Sequence, residues 1–287
     1  MLRIALPNKG RLAEETRELL RTAGLAPALR GERALQADLN GEFSAIFVRA
    51  ADIPEFVADG AADLGITGRD LVSESGRDVA ELLDLGFGRC RLAVAAKEDS
   101  GIGPGCAVPA GSRVATAFPN LAKRYFDGLG CDVTIVPVSG AAEIAPHLGV
   151  ADVIADLVST GSTLRVNGLR EVETVLESTA LLIARPAVLQ EPAGARAARE
   201  LATALESVLR ARDKRYLMAN VPRTALADVK RILPGISGPT IVDVMNGGEF
   251  VAAHAVVDAR EVYRVIAELK SIGATGILVT AIERLMP

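Results

Sequence analysis

Ser159, Thr160, Ser162 and Thr163 stand around Gly161 in DVIADLVSTGSTLRVNG, residues 152–168. Hydroxyl donors and a glycine in one short loop suit an anion, because the glycine lets backbone N–H groups approach the ligand. A strand that ends in such a loop and leads into a helix aims further N–H groups at the same point. No lysine lies in the loop, so it is not the GxxxxGK[ST] loop of nucleoside triphosphate enzymes. Asp152 and Asp156 precede it at an even spacing, on one face of a regular strand. A carboxylate beside a phosphate repels it, so something must lie between them. A sugar phosphate meets both demands: the phosphate enters the loop and the ribose hydroxyls donate to Asp156. From the loop alone, a plain surface loop with Asp156 capping the turn stands beside that reading.

Basic residues recur where apolar runs end. Lys9 and Arg11 follow LRIAL in PNKGR, Arg49 ends FSAIFVR, and Arg69 and Asp70 follow DLGI in TGRD. At the carboxyl edge of one sheet they would gather where α/β ligands bind. From spacing alone, solvated surface charge is the favoured explanation, as it is for most such residues. Glu143, in SGAAEIAP, opens a predicted helix, and from the residues alone it could be no more than a partner of the helix dipole.

These residues need elements to hold them. LRIAL, FSAIFVRA and DLGITG read as strands, with helical spacing in LAEETRELLRTAGL and a short helix in DIPEFVADGAA that Asp52 would cap ahead of Pro54. This alternation predicts a parallel sheet with helices on both faces. The pattern restarts near Cys90 with RLAVAA, SRVATAF, DVTIVPVSG and ADVIADLV, and ALLIA is a late strand. Two α/β lobes with two chain crossings predict a cleft between them. The expected boundaries are 1–90 plus 181–211 for the first lobe and 91–180 for the second. Residues 212–287 read β-α-β-β-α-β, the ferredoxin-like order, with NGGE as the central hairpin turn.

Composition narrows the classes. The chain has 287 residues, 49% hydrophobic and 24% charged, so a multidomain globular protein is expected. Aromatics are 3% with no Trp, and the net charge is −4, which disfavours nucleic acid as a partner. Two histidines, His147 and His254, do not make a His-rich metal site. Three cysteines without a CxxC pair suggest reduced thiols in the cytoplasm. No apolar run nears the ~20 residues of a membrane span, and the first residues do not read as a signal peptide.

DLVSTGSTLRVNGL resembles the phosphoribosyl diphosphate loop of the ATP phosphoribosyltransferase family. LRIALPNKGRL, AADLGITGRDLV, ELLDLGFGRCRLAVA and RVATAFPNLAKRYF resemble the same family in the same order, and IVDVM with IGATGILVTAIERL resembles the regulatory domain of its long form. The resemblance implies two periplasmic-binding-protein-like lobes plus a ferredoxin-like regulatory domain. It implies transfer of a phosphoribosyl group from phosphoribosyl diphosphate to ATP, with Mg²⁺ carried on the substrate diphosphate and no protein ligand assigned. Lys9 and Arg49 would be catalytic, and Gly10, Arg11, Arg69 and Asp70 would contact ATP or the product. Glu143, Asp156, Ser159, Thr160, Gly161, Ser162 and Thr163 would hold phosphoribosyl diphosphate. Thr240 and Ala274 would lie near an allosteric histidine, and homodimers would assemble into a homohexamer. Adenine N1 already carries a lone pair, so positioning and charge stabilisation matter more than a general base. A solute-binding module is the competing class for two such lobes, but such receptors are usually exported.

Overall fold

The structure is a computed structural model and describes residues 1–29, 35–104, 108–245 and 248–286. The chain opens with β1 (Leu2–Pro7), α1 (Ala13–Thr22), β2 (Ala28–Leu29), β3 (Gln36–Leu39), β4 (Phe43–Val48), α2 (Ile53–Ala58), β5 (Leu64–Gly68), α3 (Arg69–Ser75) and β6 (Ala80–Asp84). Next come β7 (Cys90–Lys97), β8 (Ser112–Thr116), α4 (Pro119–Gly128), β9 (Val133–Pro137), β10 (Val153–Val158), α5 (Ser162–Val166) and β11 (Leu169–Ser178). Then follow β12 (Ala180–Ala184), α6 (Pro186–Gln190), α7 (Pro192–Ala211), β13 (Lys214–Pro222), α8 (Leu226–Ile232), β14 (Thr240–Asp243), β15 (Phe250–Asp258), α9 (Val262–Ser271) and β16 (Thr275–Ala281).

Three sheets result. The first has seven strands in the order β2-β3-β4-β1-β5-β12-β6, and the second five in the order β11-β7-β10-β8-β9. The chain leaves the first sheet after Asp84, enters the second at Cys90, and returns between Ser178 and Ala180. Every residue of β5 and β12 is buried, as continuous apolar runs in central strands should be. A Cβ at Gly65 would lie 2.5 Å from Ile53 Cγ2, so that glycine lets α2 seat directly on β5.

The all-parallel expectation fails in an informative way. β1, β4 and β5 are parallel, and so are β8, β9 and β10. β12, β6, β7 and β11 run antiparallel to their neighbours because each chain crossing re-enters a sheet from the opposite direction. β2 and β3 add an antiparallel edge next to β4 that apolar runs did not reveal, because these strands are short and alternate polar with apolar residues. Asp52 makes no side-chain cap to α2; a 3₁₀ turn over Ala50–Asp52 leads into that helix instead. Cys90 is a free, buried thiol. Cys106 lies outside the described residues.

Two compact units divide the chain: Met1–Arg21 with Leu25–Ala202, and Thr22–Gly24 with Thr203–Pro287. The second contains a four-stranded sheet ordered β14-β15-β13-β16, all pairs antiparallel. With α8 and α9 between the strands, this is the ferredoxin-like arrangement expected from sequence. Its core includes Leu217, Val221, Val229, Leu233, Val251 and Leu269. Asn246 and Gly247, half of the NGGE turn, lie outside the described residues.

Candidate active site

β10 delivers the hydroxyl loop. Its last residues rise from a buried core at Ile154 and Ala155 to half-buried Asp156 and Leu157. The chain turns through Ser159–Gly161 into α5, and Gly161 sits at φ +73°. A Cβ there would lie 3.2 Å from the Arg165 guanidinium. The backbone conformation favours glycine, since the left-handed region costs other residues about 1–2 kcal/mol, whereas the flexible Arg165 tip could shift to admit a methyl group. Glu143, Asp156 and every residue from Leu157 to Leu164 line one cavity of 210 Å³. All five loop residues singled out from sequence therefore face one space. Thr160 Oγ1 and Ser162 Oγ are 3.0 Å apart, which orients the hydroxyls within the loop.

The two acids at the cavity are not relaxed. Burial pushes the Asp156 carboxyl above its ordinary range, and the nearby Glu143 charge adds to that, while the Leu157 N–H donating at 2.8 Å partly offsets both. A half-buried carboxylate that the protein under-compensates is poised to accept hydroxyl donors from a ligand. Glu143 does not open a helix; Ala142–Ile144 is a 3₁₀ turn after Ala141 at φ +50°. With no helix dipole to complement, the capping account of Glu143 falls, and its place on the cavity wall remains. Asp152 is elsewhere. It precedes β10 at the opposite edge of the sheet, where it accepts from the Arg113 N–H at 2.7 Å and pairs with the Arg113 side chain. Even spacing places two residues on one face but says nothing about which edge they reach.

In the first lobe, β1, β4 and β5 end at the same edge, in register Pro7 with Val48 and Ile4 with Leu64. PNKGR, Arg49 and TGRD are thus gathered as expected, but they differ in availability. Lys9 and Arg49 are exposed, and their side chains make no hydrogen bond or ion pair with described residues; the Arg49 carbonyl accepts from the Asp52 N–H at 3.0 Å. Gly10 adopts φ +85°, turning the chain back toward α1. Arg11 donates to the Gly88 carbonyl at 2.5 Å. Arg69 pairs with Glu81 and Asp84 at 3.2 and 3.5 Å. Asp70 is 1% exposed and accepts from the Ser178 hydroxyl at 2.6 Å. Buried and satisfied, Asp70 cannot touch a ligand directly in this arrangement. It braces the return crossing instead.

Sequence reasoning missed Arg91. Its Nε donates to Glu171 at 2.6 Å, and its Nη1 reaches the Ser159 carbonyl at 3.3 Å. Arg91 therefore tethers the start of the hydroxyl loop to β11. Both partners lie far along the chain, so only its place after a strand-to-strand crossing could have hinted at the role. No group of three or more His, Cys, Asp or Glu side chains suited to a metal occurs among the described residues.

In the second unit, Thr240 is the exposed first residue of β14, and Ala274 precedes β16. These are opposite edge strands, so the fold does not bring the two residues together within one chain. Ala274 is buried, and its N–H is already spent on the Leu269 carbonyl at 3.0 Å. That bond closes the C-terminal turn of α9.

The profile of the ATP phosphoribosyltransferase family matches residues 49–207, and the profile of the C-terminal domain of the same family matches residues 211–284. An ATP phosphoribosyltransferase of Gemmatimonas aurantiaca is 61% identical over 100% of both chains. One from Natronomonas pharaonis is 52% identical, again over 100% of both. Among solved structures, the ATP phosphoribosyl transferase (HisG:HisZ) complex from Thermotoga maritima is similar with a TM-score of 0.64 and 26% identity, over 73% of this chain and 99% of that one. The chain belongs to the ATP phosphoribosyltransferase family, in the long form that carries a C-terminal domain.

Proposed function

We propose that the chain transfers the phosphoribosyl group of phosphoribosyl diphosphate to N1 of the adenine of ATP, giving phosphoribosyl-ATP and diphosphate, the first step of histidine biosynthesis. The observation that carries this reading is Asp156 on the same cavity wall as the hydroxyl loop. The 5′-phosphate fills the loop, held by hydroxyls and backbone N–H groups from Ser159 to Thr163. The ribose hydroxyls donate to Asp156 and Glu143, whose charges then face hydroxyl protons and not the phosphate. The adenine N1 lone pair forms the new bond to the ribose C1 as the bond to diphosphate breaks and its electron pair leaves with the diphosphate. Lys9 and Arg49, unpaired at the edge of the first sheet, stabilise the charge that develops there; Gly10, Arg11 and Arg69 shape the nucleotide end.

Mg²⁺ fits a site bordered by carboxylates and open to water, since it usually binds one or two carboxylates plus substrate phosphates. It would ride on the substrate diphosphate and neutralise the leaving charge, with Glu143 and Asp156 as the acids within the cavity lining.

Histidine would inhibit through the second unit. Thr240 and Ala274 on opposite edges support a pocket completed by another copy, as in homodimers that assemble into a homohexamer. No helix of the described residues is long and apolar enough to cross a membrane, in keeping with a cytoplasmic biosynthetic enzyme. The test is one incubation of the pure protein with ATP, phosphoribosyl diphosphate and Mg²⁺, with and without histidine. Formation of phosphoribosyl-ATP is expected, and its absence would refute the reaction. Histidine should lower the rate, and deleting the chain after Arg212 should abolish that response.

A further inference from the structure

α3 belongs to both lobes of the first unit. Val72 packs in the first-lobe core with Ile53, Val57 and Ile183. Leu71, one residue earlier, packs against the second-lobe core of Leu92, Phe118, Leu121 and Phe126. The start of α3 is bonded to the return crossing: Arg69 N–H donates to the Thr179 carbonyl at 2.9 Å and Asp70 N–H to Ser178 Oγ at 3.0 Å.

The other end of α3 closes a helix in the opposite lobe. α4 begins after Phe118, which offers no side-chain cap. The first turn of any helix leaves N–H groups without intrahelical partners. Here the Phe118 N–H goes to Thr116 Oγ1 at 2.9 Å, and Pro119 has none to place. Asn120 and Leu121 N–H groups both donate to the Glu74 carboxylate, at 2.9 and 2.8 Å. The helix ladder then starts with Ala122 N–H on the Phe118 carbonyl. Glu74 thus supplies the missing cap from another lobe, and its charge complements the positive end of α4. Two return contacts bind the backbone of α3: Asn120 Nδ2 donates to the Glu74 carbonyl at 3.1 Å, and Arg124 donates to the Ser73 carbonyl.

We propose that Glu74 is a positioning residue: by latching α3 onto α4 it sets the angle between the lobes, and so the distance between the nucleotide bound at the first-lobe edge and the ribose bound at the hydroxyl loop. The proposal rests on the assignment of the two substrates to the two lobes. Glu74 touches neither substrate. Its loss leaves each half-site intact and misaligns them.

The test combines turnover, single-substrate binding and hydrogen exchange on the full-length protein. Glu74→Ala should lower kcat by about tenfold to a hundredfold, the range that an ångström-scale misplacement produces. Dissociation constants for ATP alone and for phosphoribosyl diphosphate alone should stay within about twofold, because no contact to either is removed. A purely structural role would lower the folded fraction without this split per folded molecule. Exchange of the Asn120 and Leu121 amides should quicken about tenfold as they lose their acceptor. If Glu74→Ala does not fold, Arg124→Ala weakens the same seam from the other side and should shift kcat in the same direction. Unchanged kcat in a folded variant overturns the positioning role, and unchanged exchange overturns the contact itself. A wild-type chain that forms no phosphoribosyl-ATP would refute the reaction, while the exchange result would still decide whether Glu74 caps α4.

Discussion

The two ends of β10 carry the same side chain in opposite circumstances. Asp152, at the amino end, is held below the ordinary carboxylate range, first by the Arg113 N–H and then by the Arg113 side chain. Asp156, at the carboxyl end, is pushed up by burial and by Glu143. One end is satisfied by the protein; the other is left to be satisfied by something else. The left-handed turn at Gly161, a conformation glycine adopts without strain, follows that same end. An under-compensated carboxylate beside a loop that admits close backbone approach marks where the ligand belongs.

The largest test of this contrast is Asp156→Asn. Losing a charged acceptor for ribose hydroxyls removes about 1.5–3 kcal/mol per hydrogen bond. Turnover with phosphoribosyl diphosphate should therefore fall by about a hundredfold, measured as kcat/KM. Stability should move the other way. Because the folded carboxyl titrates above its unfolded value of 3.8, its contribution is full below that value and is lost as pH rises through the folded one. An amide never ionises, so the variant should melt at or above the wild-type temperature at pH 7. A lower melting temperature would show that Asp156 is structural.

Gly161→Ala should cost about 1–2 kcal/mol in denaturant titration, from the left-handed backbone, and should weaken phosphoribosyl diphosphate binding in calorimetry. Retained affinity would separate loop geometry from ligand capture. Glu143→Gln removes a charge that raises the Asp156 carboxyl, so the fall of melting temperature with rising pH should shift to lower pH. An unmoved profile would mean that the two acids are not electrostatically linked.

Asp152→Asn is the smallest effect and the control. Turnover should be unchanged. The stability loss at pH 7 should stay below about 1 kcal/mol, because the side chain is 44% exposed and screened by water. Asp152 titrates below its unfolded value, so its contribution is present above 3.8 and is lost as pH falls through the folded value. The melting difference from wild type should thus vanish in acid. A large activity loss would break the contrast between the two ends.

Much of the site was legible because it is local. Ser159 to Thr163 are contiguous, so their hydroxyls and the glycine can be read together without knowing any distant partner. The three basic turns of the first lobe were legible because each follows an apolar run, and parallel strands end at one edge. What the sequence could not show was anything needing a partner. Arg69 reads as a free cation until β6 brings Glu81 and Asp84 beside it. Asp70 reads as a ligand contact until Ser178, remote in sequence, buries it. Glu143 reads as a helix cap because a short apolar stretch does not reveal that only a 3₁₀ turn forms.

By itself the sequence determined the fold class, the alternation of the main apolar strands with helices, and the hydroxyl loop, since apolar periodicity and local turn chemistry act over a few residues. Tertiary structure alone decided which Asp faces the cavity, which bases stay unpaired, and that Glu74 of one lobe ends a helix of the other. Those outcomes depend on which strand edges meet, and parity along a strand specifies a face but never an edge.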